Sequence, residues 1–135
     1  MKKALVIGGG LVGSMQAANL ARRGLHVKLI ERRPDLRGVE LQAGKSINLA
    51  LSTRGWKALD MLGISGRVKE IGIPMYGRQI HDIHGNESFQ AYGKEGQAIY
   101  SVSRGELNSV LLDAAESYES VEMRFQTKCV EVDFE

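Results

Sequence analysis

A single cysteine, Cys129, in 135 residues excludes an internal disulfide and any cysteine-based zinc cluster, and three histidines leave little for other metal sites. With only two prolines and no low-complexity tract, no interdomain linker shows. No apolar run approaches the length of a membrane span, and the opening MKKALVIGGG holds too short an apolar stretch for a signal peptide. A reducing, cytoplasmic setting is therefore expected, and this segment carries no sign of a membrane partner. Charge nearly cancels: 18 Lys and Arg against 16 Asp and Glu leave +2, no overall field to recruit nucleic acid. The remainder, 43% apolar and 25% charged, is ordinary globular composition, and the length suits one domain.

The charge is unevenly placed. Through Lys57 there are eleven basic and three acidic residues, and beyond it seven and thirteen. An anionic ligand near the N-terminal half would explain this, as would solvated surface charge. Glycine is in excess and needs a reason: sixteen, about 12%, against roughly 7% on average.

The first third uses that glycine. Ala4-Leu5-Val6-Ile7 reads as a buried parallel strand that ends in Gly8-Gly9-Gly10. From Leu11 the period becomes helical, with Val12, Met15, Ala18 and Leu20 as its apolar positions and Gly24 as the stop. Val27, Leu29 and Ile30 then lead to Glu31, completing a βαβ unit over residues 2–31. Within it, Gly8 permits the sharp exit from the strand. Gly10, lacking a Cβ, lets a pyrophosphate approach the main chain, and Gly13 lets helix and strand pack closely. The free amides opening the helix favour negative charge. Glu31, eighteen positions beyond Gly13, stands where a strand end can accept hydrogen bonds from ribose hydroxyls and repel a 2′-phosphate. A ligand-free glycine turn is the bland alternative. The physics of a βαβ unit does not separate NAD from FAD. The stretch GGGLVGSMQAANLARRGLHVKLIERR, however, is similar to the flavoprotein form of the fingerprint.

Farther along, Ser52 or Thr53 offers an N-cap to a helix whose core residues are Trp56, Leu59 and Leu62, and Gly63 stops it. Pro74 breaks the chain's pattern about ten residues later. Gln79–Ile83 and Ser88–Tyr92 flank the turn His84-Gly85-Asn86, which predicts a β-hairpin, and Ile99–Val102 is a further extended run. Ser103 and Glu106 form a capping box for a helix with an apolar stripe of Leu107, Val110, Leu111 and Ala114. Strands are expected at Glu122–Phe125 and, by alternation, through Val130, Val132 and Phe134. A strand so close to the last residue needs a neighbour, so the chain is expected to be the front part of a longer protein.

Together, IGGGLVGS, GKSINLALSTRG, GIPM around Pro74, AYG at Ala91–Gly93 and SVSR before ELN resemble the kynurenine 3-monooxygenase family of FAD-dependent aromatic hydroxylases over nearly the whole chain. The resemblance implies an α/β fold: a Rossmann-like FAD-binding βαβ unit with an inserted β-hairpin from a substrate-binding sheet, at about 75–102, then a helix and strands over 103–135. The domain would be incomplete, because the family's later Gly-Asp segments and most of its substrate sheet are absent. It further implies hydroxylation of L-kynurenine to 3-hydroxykynurenine with FAD, NADPH and O2. Such chemistry needs no catalytic nucleophile, since the cofactor carries it and the protein orients substrate and excludes water. By itself the segment is expected to be inactive.

Carried over by position, the resemblance implies FAD contacts at Val12, Glu31, Arg32, Arg33, Ala50 and Arg104, with Cys129 near the adenine, beside Gly8, Gly10 and Gly13. Arg78 and Tyr92 match the family's pair for the amino-acid carboxylate, a role that suits a bidentate guanidinium and a directional phenol. Each has a bland rival: Arg78 as a solvated charge, Tyr92 as a core-rim aromatic, Arg104 as surface, Arg33 and Arg37 as exposed loop charges, and Cys129 as a small buried hydrophobe. His81 and His84 resemble a metal pair only superficially, and no metal is expected. A free-standing dinucleotide-binding module, another FAD-dependent monooxygenase, and an NAD-dependent dehydrogenase suggested by Glu31 are the competing functions.

Overall fold

The computed structural model describes residues 2–38 and 47–134. In chain order the elements are β1 (Lys3–Ile7), α1 (Leu11–Arg22), β2 (His26–Ile30), β3 (Asn48–Leu51), α2 (Thr53–Met61) and α3 (Ser65–Ile71). They continue as β4 (Ile73–Met75), β5 (Gly77–His81), β6 (Glu87–Ala91), β7 (Ile99–Ser103), α4 (Arg104–Glu116) and β8 (Val121–Arg124). They form two compact units, one from Met1–Ser46 with Arg104–Glu135 and one from Ile47–Ser103. Gly44, Lys45 and Ser46 of the GKSINLAL segment lie outside the described residues.

In the first unit β1, β2 and β8 make a parallel sheet in the order β1-β2-β8. The registers Ala4↔Val27↔Val121 and Val6↔Leu29↔Met123 put these side chains on one face, where α1 and α4 pack. Val6, Val27 and Leu29 from the sheet are buried with Leu107, Leu111 and Leu112 of α4, each worth about 1.5–3 kcal/mol when fully withdrawn from water. On the other face Leu5 and Ile7 stay more than half exposed.

The buried side of α1 matches its apolar pattern at Ala18 and departs from it at Val12. Ser14, Ala17, Ala18 and Ala21 face inward, whereas Val12 is 83% exposed. Close packing explains it: only small side chains fit between this helix, the sheet and α4. Buried Ser14 meets its hydrogen-bonding need locally, donating its hydroxyl to Gly10 O at 2.7 Å.

Residues after β8 also depart from expectation. The alternation at Val130, Val132 and Phe134 forms no strand, and all three side chains are exposed. Pairing there is confined to two bonds, Gln126 N to Arg33 O (3.0 Å) and Thr127 N to Glu31 O (2.9 Å), and no strand lies beside residues 128–134 among the described residues. Alternation without a partner for its ladder is not a strand. Nor is Arg37 a loose loop charge. Its guanidinium donates to Asp35 (2.7 Å), Glu116 (2.6 Å) and Asp113 (2.9 Å) and lies over the Phe125 ring, and these carboxylates raise its pKa still further.

The second unit holds an antiparallel sheet, order β3-β7-β4, the helices α2 and α3, and the β5–β6 hairpin. Its core comprises Leu59, Ile64, Val68 and Val102, with Trp56 edge-on to Tyr100 at 5.1 Å. Leu59 is buried as expected, while Trp56 and Leu62 are only partly covered. The short helix α3, which no sequence signal marked, precedes Pro74. That proline ends no chain direction but sits in β4, on the outer edge of the sheet, where a missing N–H costs nothing. The hairpin forms where the turn residues place it. Asp82 closes its loop by accepting the His84 and Asn86 amides, each at 2.8 Å.

The closest packing constraint lies at Gly13, where a Cβ would fall 1.8 Å from Gly8 O. Gly13→Ala is therefore expected to cost more than about 3 kcal/mol. Gly10→Ala, with nothing within 4 Å of the new methyl, is expected to leave stability within about 1 kcal/mol. Urea unfolding followed by far-ultraviolet circular dichroism separates the two.

Candidate functional site

The end of β1 turns through Gly8, whose φ of 104° is a region that side chains rarely adopt. Gly9 follows, buried, and Gly10 caps α1 with extended backbone. The amides of Gly10, Leu11, Val12 and Gly13 have no protein acceptor among the described residues, and no acidic residue stands in the first turn. These are the orphan donors and the positive dipole end that bind anions. An open cleft of about 520 Å³ lies over them, lined by Gly8, Gly10, Val12, Gly13, Gln16 and Arg104. Arg104, the first residue of α4, is exposed and adds a full positive charge to that cleft.

Around Glu31 is a second cleft of about 460 Å³, lined by Gly8, Glu31, Arg32, Arg33, Thr127 and Cys129 among others. Both volumes fall within the range of small-ligand pockets. The Glu31 carboxylate is only 7% exposed. Its Oε2 accepts the Gly9 amide at 2.7 Å, and its Oε1 accepts the Arg33 amide at 2.9 Å and Arg33 Nε at 3.0 Å. Burial alone would raise its pKa, but the Arg33 side chain, the Arg33 amide and the Gly9 amide outweigh it and hold the group at about 2 instead of 4.5. With two bonds on Oε1 and one on Oε2, the carboxylate retains acceptor capacity on Oε2.

Sequence-selected residues thus fall into three places. Gly8, Gly10, Val12, Gly13 and Arg104 share the first cleft; Glu31, Arg32, Arg33 and Cys129 share the second, with Gly8 common to both. Cys129 is half-buried rather than a core hydrophobe. Ala50, Arg78 and Tyr92 belong to the other unit. There Ala50 is exposed on β3, paired with Ser101. Arg78 on β5 pairs with Gln90 on β6, and Tyr92 N donates to Tyr76 O at 2.9 Å, extending the same pairing. This register puts Arg78, Gln90 and Tyr92 on one face of the hairpin. Arg78 Nε donates to Gln90 Oε1 at 2.7 Å, which leaves the Nη edge of the guanidinium without a partner among the described residues.

Two participants were missed from sequence. Thr127 lines the Glu31 cleft because the loop after β8 bonds back to Glu31. Asn108 of α4, buried at 4% exposure, donates Nδ2 to Gly9 O at 3.1 Å. A polar residue beside Leu107 within the apolar stripe was the available signal.

A family model described as an FAD binding domain matches residues 1–135. The kynurenine 3-monooxygenase of Myxococcus xanthus is 48% identical over 130 residues, covering 96% of this chain and 28% of that protein. The kynurenine 3-monooxygenase of Anopheles gambiae is 47% identical over 126 residues, covering 93% of this chain and 26% of that protein. The chain therefore spans little more than a quarter of the length of these curated relatives. Among solved structures, p-nitrophenol 4-monooxygenase PnpA from Pseudomonas putida DLL-E4 superposes with a TM-score of 0.79 at 19% identity, over 100% of this chain and 35% of that one, a likeness of fold. No helix among the described residues is long and apolar enough to cross a membrane.

The depressed pKa of Glu31 has a consequence for stability. Its folded-state value lies below its unfolded one, so its contribution is complete above about pH 4.5 and is lost as pH falls toward 2. Allowing for solvent around half-exposed Arg33, the loss is expected to be about 2 kcal/mol. Glu31→Gln should lower stability by a similar amount at pH 6 and should flatten the difference between pH 4.5 and pH 2, as read from urea midpoints across that range.

Proposed function

Because the chain belongs to the FAD binding domain family, we propose that it forms the N-terminal part of a kynurenine 3-monooxygenase. The proposed reaction hydroxylates L-kynurenine to 3-hydroxykynurenine with FAD, NADPH and O2. The observation that carries the cofactor assignment is the pair of adjoining clefts, one floored by unsatisfied helix amides and one closed by an ionised, buried carboxylate. These residues fit an adenine dinucleotide. The sequence similarity to enzymes of that name supports the substrate.

In this proposal the amides of Gly10 to Gly13 hold the diphosphate without moving, because the turn at Gly8 and the contact at Gly13 fix them beforehand. Arg104 offsets part of the diphosphate charge. Glu31 uses its remaining Oε2 acceptor for a ribose hydroxyl, while Arg32, Arg33 and the main chain at Cys129 border the adenosine. Glu31 stays ionised at physiological pH, so the site disfavours a 2′-phosphate and the NADPH that delivers reducing equivalents is not its occupant. Bound flavin supplies the redox and oxygen-activating chemistry that no side chain of this segment can. A cofactor contact at Ala50 of β3 has the resemblance as its support. The Nη edge of Arg78 grips the amino-acid carboxylate of kynurenine bidentately, and Tyr92 on the same hairpin face adds one directional hydrogen bond.

The intact polypeptide carrying this segment is expected to hold FAD and to oxidise NADPH faster when kynurenine is added, with 3-hydroxykynurenine as product. Indifference to both FAD and kynurenine would overturn the assignment. Arg78→Ala should raise the KM for kynurenine about 10- to 100-fold, the value of a lost charge-assisted pair, with FAD occupancy retained. Loss of FAD with unchanged kynurenine KM would contradict the carboxylate role.

A further inference from the structure

We propose that Asn108 is a positioning residue of the diphosphate site, acting through the peptide that joins Gly9 to Gly10. The inference rests on the dinucleotide reading of the glycine loop. Gly9 is buried, and both of its main-chain polar groups are held by side chains distant in sequence. Its N–H donates to Glu31 Oε2 at 2.7 Å, and its C=O accepts from Asn108 Nδ2 at 3.1 Å, across 99 positions of chain. A trans peptide is planar, with C=O and N–H pointing in opposite directions. Fixing Gly9 C=O toward α4 therefore fixes Gly10 N–H away from it, and Gly10 N–H is among the amides with no protein acceptor. The device is needed because glycine stands on both sides of this peptide. With no Cβ to resist it, the plane can turn over at small cost and present a carbonyl oxygen where an anion is to bind.

The other end of the Asn108 amide supports a functional role over a purely structural one. Its Oδ1 is buried and has no hydrogen-bond partner among the described residues. The opposite amide orientation would face that oxygen against Gly9 O, so the observed orientation is the one the loop dictates. An apolar residue here, among Leu107, Leu111 and Leu112, would strand Gly9 O in place of Asn108 Oδ1, so what asparagine adds is the fixed direction of the Gly9–Gly10 peptide. Asparagine is the residue that can donate to Gly9.

The test compares Asn108→Leu and Asn108→Asp with the parent in the intact polypeptide, titrated with FAD, ADP and adenosine. Asn108→Leu is expected to weaken FAD and ADP about 10-fold, leave adenosine within twofold, and leave the melting temperature of the flavin-free protein little changed, because stranded Gly9 O replaces stranded Asn108 Oδ1. Asn108→Asp, nearly isosteric, sets a carboxylate oxygen against Gly9 O and should weaken ADP at least as much. Unchanged ADP affinity in both variants, or adenosine weakened as much as ADP, would overturn the inference. A parent protein that binds neither FAD nor ADP would instead overturn the dinucleotide reading, and this inference with it.

Discussion

The buried carboxylate of Glu31 joins parts of the chain that otherwise have little reason to meet. From the end of β2 it holds the Gly9 amide on one oxygen and the Arg33 amide and side chain on the other. Its own carbonyl receives Thr127 from the loop after β8. A charge so far out of water is costly unless several donors satisfy it. Here three do, and the pKa near 2 reports how completely. The glycine turn owes its shape to this bond, because a turn built from three glycines has almost no conformational preference of its own.

The same turn is constrained from two further sides. Gly13 brings α1 so close to β1 that Gly8 O occupies the space a methyl would need, and α4 closes from behind with Asn108. Every constraint acts on backbone, and what they leave free is a row of amides at a helix start. Preorganised donors of this kind bind an anion without reorganising. The side chains in the cleft, Val12 and Arg104, shape and charge its rim.

Much of this was legible in the sequence, for identifiable reasons. The period change at Gly8–Gly10, the stop at Gly24 and the acid at Glu31 are local signals, and β1, α1 and β2 begin and end where they predict. The hairpin also forms, with its strands lying one to two residues earlier than their pattern placed them, and α4 starts directly after Ser103 as its capping box predicts. What failed depends on partners that local pattern does not carry. The inward face of α1 was set by the closeness of its neighbours, so Ser14, Ala17 and Ala21 join the expected Ala18 while Val12 stays outside. The alternation through Val130 and Phe134 found no ladder, whereas Val121–Arg124 found β2. Helix α3, seven residues with Gly66 inside, offers too little period to detect. Asn108 stood out only as a polar residue within an apolar stripe, because its partner is a main-chain carbonyl that no residue type marks. For Arg78 and Tyr92 the resemblance alone gave a role, and the hairpin register adds only that the two share a face.

The central claim is that the amides opening α1 are the anion-binding elements of this protein. Titrating glycine- and valine-labelled (15N) protein with ADP and following its amide resonances tests it most directly. Saturable shifts are expected to be largest at Gly10, Val12 and Gly13, with Gly24, at the far end of the same helix, unmoved. Saturation by ADP without shifts at those three amides, or with the largest changes in the β5–β6 hairpin, would contradict it.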